Sequence, residues 1–297
     1  MRGQNFFLLL GPTLTSSEVS ASASTVRYQV ATMTEQEQQS VKDFYLFLDC
    51  DDTLYRDDWK VAVALTKKIN DYTTNVLKLP DGKAYELYKK YGTCLRGLQV
   101  EGLGVGQPDF DTEAMLFQIH DQLPISEAIP PNPDLKSMLK RIDLERVSPC
   151  VFTASIQEHA TRCMQALGIY DSFIVKNQFP IIDVRSVNFY TKHDVEALEF
   201  AQKIVQCPVD YSSRCILVDD SQTNIRVAKQ AGWQTVLVGH KTRDGKSQLD
   251  FEYADHVIDK VTELEEILPH LFVMSNKGSD DDEDEEEKKE EEEEPNN

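Results

Sequence analysis

Phe44-Tyr45-Leu46-Phe47-Leu48-Asp49-Cys50-Asp51-Asp52-Thr53-Leu54-Tyr55 is an apolar run that ends in carboxylates. Its first five residues are continuously hydrophobic and rich in aromatics, as expected of a central strand covered on both faces by helices. Asp49 then falls at the carboxyl end of that strand, where open parallel sheets bind ligands. Period-two alternation points Asp49 and Asp51 one way, and Cys50 and Asp52 elsewhere. Two neighbouring carboxylates repel unless a cation or a proton separates them, so the pair predicts a divalent metal, one protonated carboxyl, or both. The competing interpretation is a loop carrying two solvated acids.

With 297 residues the chain can bury a substantial core, and one large domain with a smaller one appended is the natural expectation. Of the net charge of -20, residues 279–297 carry -11, which leaves the remainder only moderately acidic at -9. Such a run cannot bury apolar surface, so residues 275–297 are expected to form a disordered, solvating tail. The tail repels nucleic acid and membrane anions, which excludes both as partners and leaves a basic protein as the interaction it suits. The six cysteines (50, 94, 150, 163, 207 and 215) include no Cys-x-x-Cys pair and no zinc-like spacing with histidine, and they fit a reducing compartment.

Residues 1–40 read as a disordered leader or as a targeting segment. Arg2, the run Phe6 to Leu10 and the stretch Ser20-Ala21-Ser22-Ala23-Ser24 imitate a signal or transit peptide, but the apolar core is short and Pro12 interrupts it. The expected location is the cytoplasm, with organelle targeting as the alternative. No stretch approaches the roughly 18 apolar residues of a membrane span.

About a hundred residues separate the Asp pair from the next clear strand, Pro149 to Thr153, far more than a βα connection needs. Val61, Leu65, Ile69, Tyr72 and Val76 mark one face of a long helix, and Tyr85, Tyr88 and Tyr91 recur through a second that ends near Gly92. Gly97 to Gly106 holds four glycines and predicts a flexible turn region, and Asp111 to Gln122 predicts a further helix. Residues 57–130 are therefore expected to form a helical cap, most simply a lid. From there the chain alternates, with strands predicted at Pro149 to Thr153, Phe173 to Val175, Cys215 to Val218, Thr235 to Val238 and His256 to Ile258. Helices are predicted at Asp134 to Arg141, Gln157 to Leu167, Asp194 to Val205, Gln222 to Ala231 and Thr262 to Leu268. This alternation predicts an α/β fold, a doubly wound parallel sheet built from residues 41–56 and 131–274.

Three further sites fall at the carboxyl ends of predicted strands. Thr153 brings a hydroxyl to a helix start, where backbone N–H groups suit an anion, although Thr is also an ordinary helix cap. Lys192 precedes the helix at Asp194, and a lone loop lysine is usually just solvated. Ile216-Leu217-Val218-Asp219-Asp220 is a second apolar strand ending in paired carboxylates, which the helix dipole alone does not readily explain.

In this order and spacing the sites resemble the motifs of the haloacid dehalogenase superfamily of aspartate-nucleophile phosphohydrolases, over about Phe44 to Phe272. The first motif, Asp-x-Asp-x-Thr, is met by Asp49, Asp51 and Thr53, and the fourth by Asp219 and Asp220. The second and third fall on Thr153 and Lys192. Only 39 positions separate those two, so the resemblance implies a type 1 cap after the first motif. Asp52-Thr53-Leu54-Tyr55, Tyr91-Gly92-Thr93, Arg96-Gly97-Leu98, His159-Ala160 and Leu167-Gly168-Ile169 are similar to the fungal and plant pyrimidine 5'-nucleotidase branch. Ala154 stands where that branch often has Asn, leaving a backbone N–H to bind phosphate, and His193 replaces its usual Pro.

The resemblance implies a Mg²⁺-dependent phosphomonoesterase acting on nucleoside 5'-monophosphates, UMP or CMP preferred. It casts Asp49 as nucleophile and Asp51 as acid and base, with Thr153, Ala154 and Lys192 binding phosphate. It places Asp49, Asp51, Asp219 and Asp220 on the metal and Arg96 in the cap against the substrate. The alternatives are a sugar-phosphate or phosphoglycolate phosphatase, a phosphoglucomutase and, in a different class, a non-catalytic protein working through its acidic tail. A dehalogenase is disfavoured because a leaving halide needs no general acid, which Asp51 would supply.

Overall fold

The computed structural model describes residues 41–241 and 247–273. The leader expected at 1–40 and the tail expected at 275–297 lie outside the described residues. The chain opens with β1 (Phe44–Leu48) and then runs through α1 (Lys60–Asn75), α2 (Lys83–Tyr91), α3 (Cys94–Val100), α4 (Thr112–His120) and α5 (Ile125–Ala128). Next come α6 (Pro133–Lys140), β2 (Val147–Phe152), α7 (Gln157–Ala166), β3 (Ile181–Ile182), α8 (Val195–Ile204) and β4 (Cys215–Asp219). The described chain continues with α9 (Gln222–Gln230), β5 (Gln234–Val238), β6 (His256–Ile258) and α10 (Leu264–Ile267). No helix among the described residues is long and apolar enough to cross a membrane.

The six strands form one sheet in the order β3-β2-β1-β4-β5-β6, every pairing parallel. β1 lies between β2 and β4, where the chain reverses its direction of travel across the sheet. In such sheets the ligand crevice opens outside the carboxyl ends of the strands at that reversal. Asp49 and Asp219 both sit there.

Strand alternation divides the core into two layers. Leu46 and Leu48 join Val151, Ile216, Val218, Val236 and Val238 in a buried cluster with α6 and α7. Tyr45 and Phe47 face the other way, with Cys150, Phe152, Leu217 and Leu237 against α8 and α9. Phe47 packs on Trp233 with ring centroids 4.5 Å apart and meets Phe152 edge-on at 6.3 Å. Burying each such side chain contributes about 2 kcal/mol, enough to hold β1 rigid beneath the acids at its end.

A third cluster gathers Tyr72, Leu87, Leu98, Met115, Leu116 and Ile119 from α1 to α4, and it also takes in Ile156 and Val184 from beside the sheet. Two expectations are corrected in detail. The Gly97 to Gly106 stretch is not all turn, because α3 runs through Gly97. Thr93 caps that helix by accepting from the Arg96 N–H at 3.0 Å. A Cβ at Gly97 would stand 2.6 Å from Leu87 Cβ, so this glycine serves close helix packing rather than flexibility. The strand expected at Phe173 to Val175 is instead part of a π-helical segment, Tyr170–Val175, and the sheet's edge strand is Ile181–Ile182. A three-residue apolar run carries too little periodicity to separate the two. Burial of Phe173 and Ile174, with Phe173 edge-on to Phe179 at 5.1 Å, favours the helical form.

Candidate active site

The extended chain ends at Leu48 and turns sharply over residues 51–54, where Asp52 adopts a φ of 60°. Alternation therefore stops at the first acid, and the expected common direction of Asp49 and Asp51 gives way to two separate surroundings. Asp49 is buried. Its Oδ1 accepts from Lys192 Nζ at 2.6 Å and its Oδ2 from the Thr53 hydroxyl at 3.1 Å. Burial pushes its carboxyl up to about 7, with Lys192 pulling it down and Asp219 adding repulsion.

Asp51 faces α7 instead. His159 Nε2 lies 2.7 Å from its Oδ1, and the Tyr55 hydroxyl donates to the same oxygen at 2.5 Å. Burial would raise Asp51, but the charge and hydrogen bond of His159, helped by Tyr55, bring it down to about 2. Burial likewise lowers His159, and the Asp51 carboxylate overrides it to about 10. Beneath them Cys163 Sγ lies 3.6 Å from His159 Nε2.

Lys192 is buried and donates to Asp49 Oδ1 at 2.6 Å, Asp219 Oδ2 at 2.6 Å and the Phe152 carbonyl at 2.9 Å. An ammonium has three donors, so all of them are engaged, and contact with a phosphoryl oxygen requires exchanging one. Burial lowers its pKa, but Asp219 and Asp49 more than reverse that. Asp219 ends β4, and its Oδ1 accepts from the Ser221 N–H and the Asn224 side chain, both at 2.9 Å. Ser221 caps α9, which ties this acid to a helix start.

Thr153 follows β2 and is buried, and its Oγ1 accepts from the Ser155 N–H at 3.0 Å. That bond uses the hydroxyl as an acceptor and leaves its proton to donate. Ala154, between them, is exposed. His120 at the end of α4 reaches the same loop. Its Nδ1 is 2.8 Å from the Leu116 carbonyl, which can only accept, so Nδ1 carries the proton and Nε2 accepts from Ser155 Oγ at 2.8 Å. Burial holds this ring neutral, its pKa lowered to about 4.

The donors fit a hard divalent cation. Carboxylate oxygens of Asp49, Asp219 and Asp220 lie within 4.8 Å of one another, and all are the oxygen ligands that Mg²⁺ takes. These acids share one buried ammonium. Burial, followed by the charges of Asp219 and Asp49, pushes Asp220 well above the usual carboxylate range. A cation would relieve that repulsion.

Arg96 on α3 stands over the Tyr190 ring at 4.3 Å, with its Nε 3.7 Å from Asp194, so it reaches the loop that carries Lys192. Gly92 packs on the same loop, since a Cβ there would meet His193 Nδ1 at 2.4 Å. The structure thus gathers Asp49, Lys192, Asp219 and Asp220 at the ends of β1 and β4. Asp51 lies on the α7 side, Thr153 and Ala154 after β2, and Arg96 across the Lys192 loop. Sequence reasoning missed the contacts made by His159, Tyr55, Ser155 and His120. Only the i, i+4 spacing of Asp51 and Tyr55 was a usable signal, because His159 meets Asp51 from 108 positions away.

Residues 45–232 match the family model of a haloacid dehalogenase-like hydrolase. Among curated proteins the chain is 27% identical over 195 residues to phosphate metabolism protein 8 of Saccharomyces cerevisiae, covering 64% of this chain and 60% of the yeast protein. The chain thus matches about 60% of that relative's length. A hydrolase from Pseudomonas syringae superposes with a TM-score of 0.50 at 18% identity, over 77% of this chain and 99% of that one. L-2-haloacid dehalogenase from Xanthobacter autotrophicus gives 0.46 at 14%, over 77% and 99%. At 18% identity the likeness to the Pseudomonas syringae hydrolase speaks to the fold alone.

Proposed function

The chain belongs to the haloacid dehalogenase-like hydrolases, and from that premise we propose that it is a Mg²⁺-dependent phosphomonoesterase acting on nucleoside 5'-monophosphates, with UMP and CMP preferred. The observation that carries the reading is the separation of the two β1 acids, one held by Lys192 among further carboxylates and the other held by His159 and Tyr55. The two carboxyls stand in separate surroundings, which lets them take separate roles. As they stand Asp49 is raised and Asp51 lowered, so the roles require a cation beside Asp49 to bring it down and the phosphate beside Asp51 to bring it up.

Asp49 attacks the phosphorus, and the bond to the leaving oxygen breaks as an aspartyl-phosphate forms. Asp51 gives that oxygen its proton and later takes one from the hydrolytic water. A phosphate dianion arriving beside Asp51 raises its pKa by like-charge repulsion, which favours the protonated form the first step needs. Thr153, with its hydroxyl proton free, and the exposed Ala154 N–H bind the phosphoryl oxygens. Lys192 holds Asp49 in line and offsets charge in the transition state. Asp49, Asp219 and Asp220, with the Asp51 carbonyl, would hold Mg²⁺, which when bound screens the nucleophile from the phosphate's negative charge. Residues 57–130 act as the cap over the core formed by residues 41–56 and 131–274, and Arg96 on the cap contacts the substrate.

The test is turnover of a panel of phosphomonoesters by purified protein, with UMP and CMP beside AMP, glucose 6-phosphate, phosphoglycolate and p-nitrophenyl phosphate. Highest kcat/KM on the pyrimidine nucleotides is the expected result. Preference for a sugar phosphate or phosphoglycolate would retain the chemistry and remove the nucleotide.

A further inference from the structure

We infer that His159 and Tyr55 are positioning residues for the general acid: both bind one oxygen of Asp51, so that the other, Oδ2, delivers the proton to the leaving group. The inference rests on Asp51 acting as the acid proposed above. His159 Nε2 and the Tyr55 hydroxyl meet Asp51 Oδ1 at 2.7 and 2.5 Å. Among the described residues no side-chain hydrogen bond falls on Oδ2. Two donors on a single oxygen fix both the rotamer and the plane of a carboxyl group, which a lone solvated Asp would sample freely.

Burial shows which side is which. The His159 side chain is 0% exposed and the Asp51 side chain 30% exposed, and Tyr55 is buried. The two partners lie behind the acid and have no route to a substrate, so they act through Asp51. His159 is itself held on α7, its ring 5.6 Å from that of His120. Tyr55 lies four residues along the turn that carries Asp51.

The step balances once Asp51 has taken a proton from solvent on Oδ2, which the approaching phosphate's charge favours against the pull of His159 and Tyr55. Asp49 forms a bond to phosphorus, and the P–O bond to the leaving group breaks with its electron pair on oxygen. That oxygen takes the Oδ2 proton, leaving Asp51 as a carboxylate whose Oδ1 still accepts from both donors. A misplaced acid harms esters of poor leaving groups, which need the proton, much more than esters that leave readily as anions.

The experiment compares kcat/KM for benzyl phosphate and p-nitrophenyl phosphate, a constant that stops at formation of the phosphoenzyme and so excludes its later hydrolysis. Tyr55→Phe and His159→Leu should each lower the value for benzyl phosphate at least about tenfold more than for p-nitrophenyl phosphate. His159→Gln, which keeps a donor near the Nε2 position, should recover part of the selective loss. Should His159→Leu fail to fold, Tyr55→Phe and His159→Gln preserve the shape and decide the matter. Equal losses on both esters, or no loss, would overturn the inference, since a purely structural role does not distinguish leaving groups. Wild-type protein that cleaves neither these two esters nor any member of the wider panel, UMP and CMP included, overturns the phosphatase reading and this inference together. The nucleotide assignment is judged separately, from wild-type turnover of UMP and CMP.

Discussion

Asp49 and Asp51 leave the same strand two residues apart, and burial raises the pKa of both, yet one stands at about 7 and the other at about 2. The difference lies in how cation is shared. Around Asp49 a single ammonium serves a crowd of carboxylates, whereas Asp51 has His159 and Tyr55 largely to itself. Depth in the protein therefore says little about which carboxyl keeps its proton, and the ratio of acids to donors says much more.

Replacing the crowded acid is the strongest way to break that contrast. Asp49→Asn should lower phosphatase turnover at least about thousandfold, with a melting temperature equal to or above that of the wild type because one buried charge is gone. A chelator should silence the enzyme until Mg²⁺ is restored. Mg²⁺ should also raise the melting temperature of the wild type more than that of Asp220→Asn, a readout independent of turnover. Lys192→Met removes the one ammonium from the crowd and should cost about 3–5 kcal/mol of stability in urea unfolding, as expected when a buried pair loses a partner. A loss below about 1 kcal/mol would show that the acids protonate instead.

His120 sharpens the comparison as a buried ring with no carboxylate in hydrogen-bond contact. Its folded pKa of about 4 lies below the ordinary value of 6.5, so its contribution is present above about pH 6.5 and is lost as pH falls through about 4. That contribution is at most about 3 kcal/mol. Urea unfolding at pH 7 and pH 4.5 should show His120→Gln losing less stability on acidification than the wild type. The smallest effect is expected from deleting residues 279–297, which should leave turnover within about twofold if the site alone sets the rate. A larger change would favour the partner-binding alternative.

The sheet was legible because β1 is a continuous, aromatic-rich apolar run and β4 a continuous aliphatic one, each closing on acids. Lys192 was not legible from its own surroundings. A lysine in a loop looks solvated until the fold brings Asp49 and Asp219 to it, and only the family spacing drew attention to it. The α7 side of Asp51 was hidden for the same reason, since the His159 contact is made by packing and leaves no local pattern. Gly97 misled because a glycine that lets two helices touch is spelled like one that loosens a turn.

The φ of 60° at Asp52 has a consequence for how this loop can vary among related chains. Residues with little penalty in the left-handed region, Gly, Asn and Asp, keep the turn that follows Asp49 and Asp51. Val, Ile or Thr do not, because a branched side chain would force the turn open and carry Thr53 away from Asp49 and Tyr55 away from Asp51. This position is thereby restricted by its backbone as well as by its charge, which bears on Asp220, and a relative bearing a branched residue there is expected to have retired from catalysis.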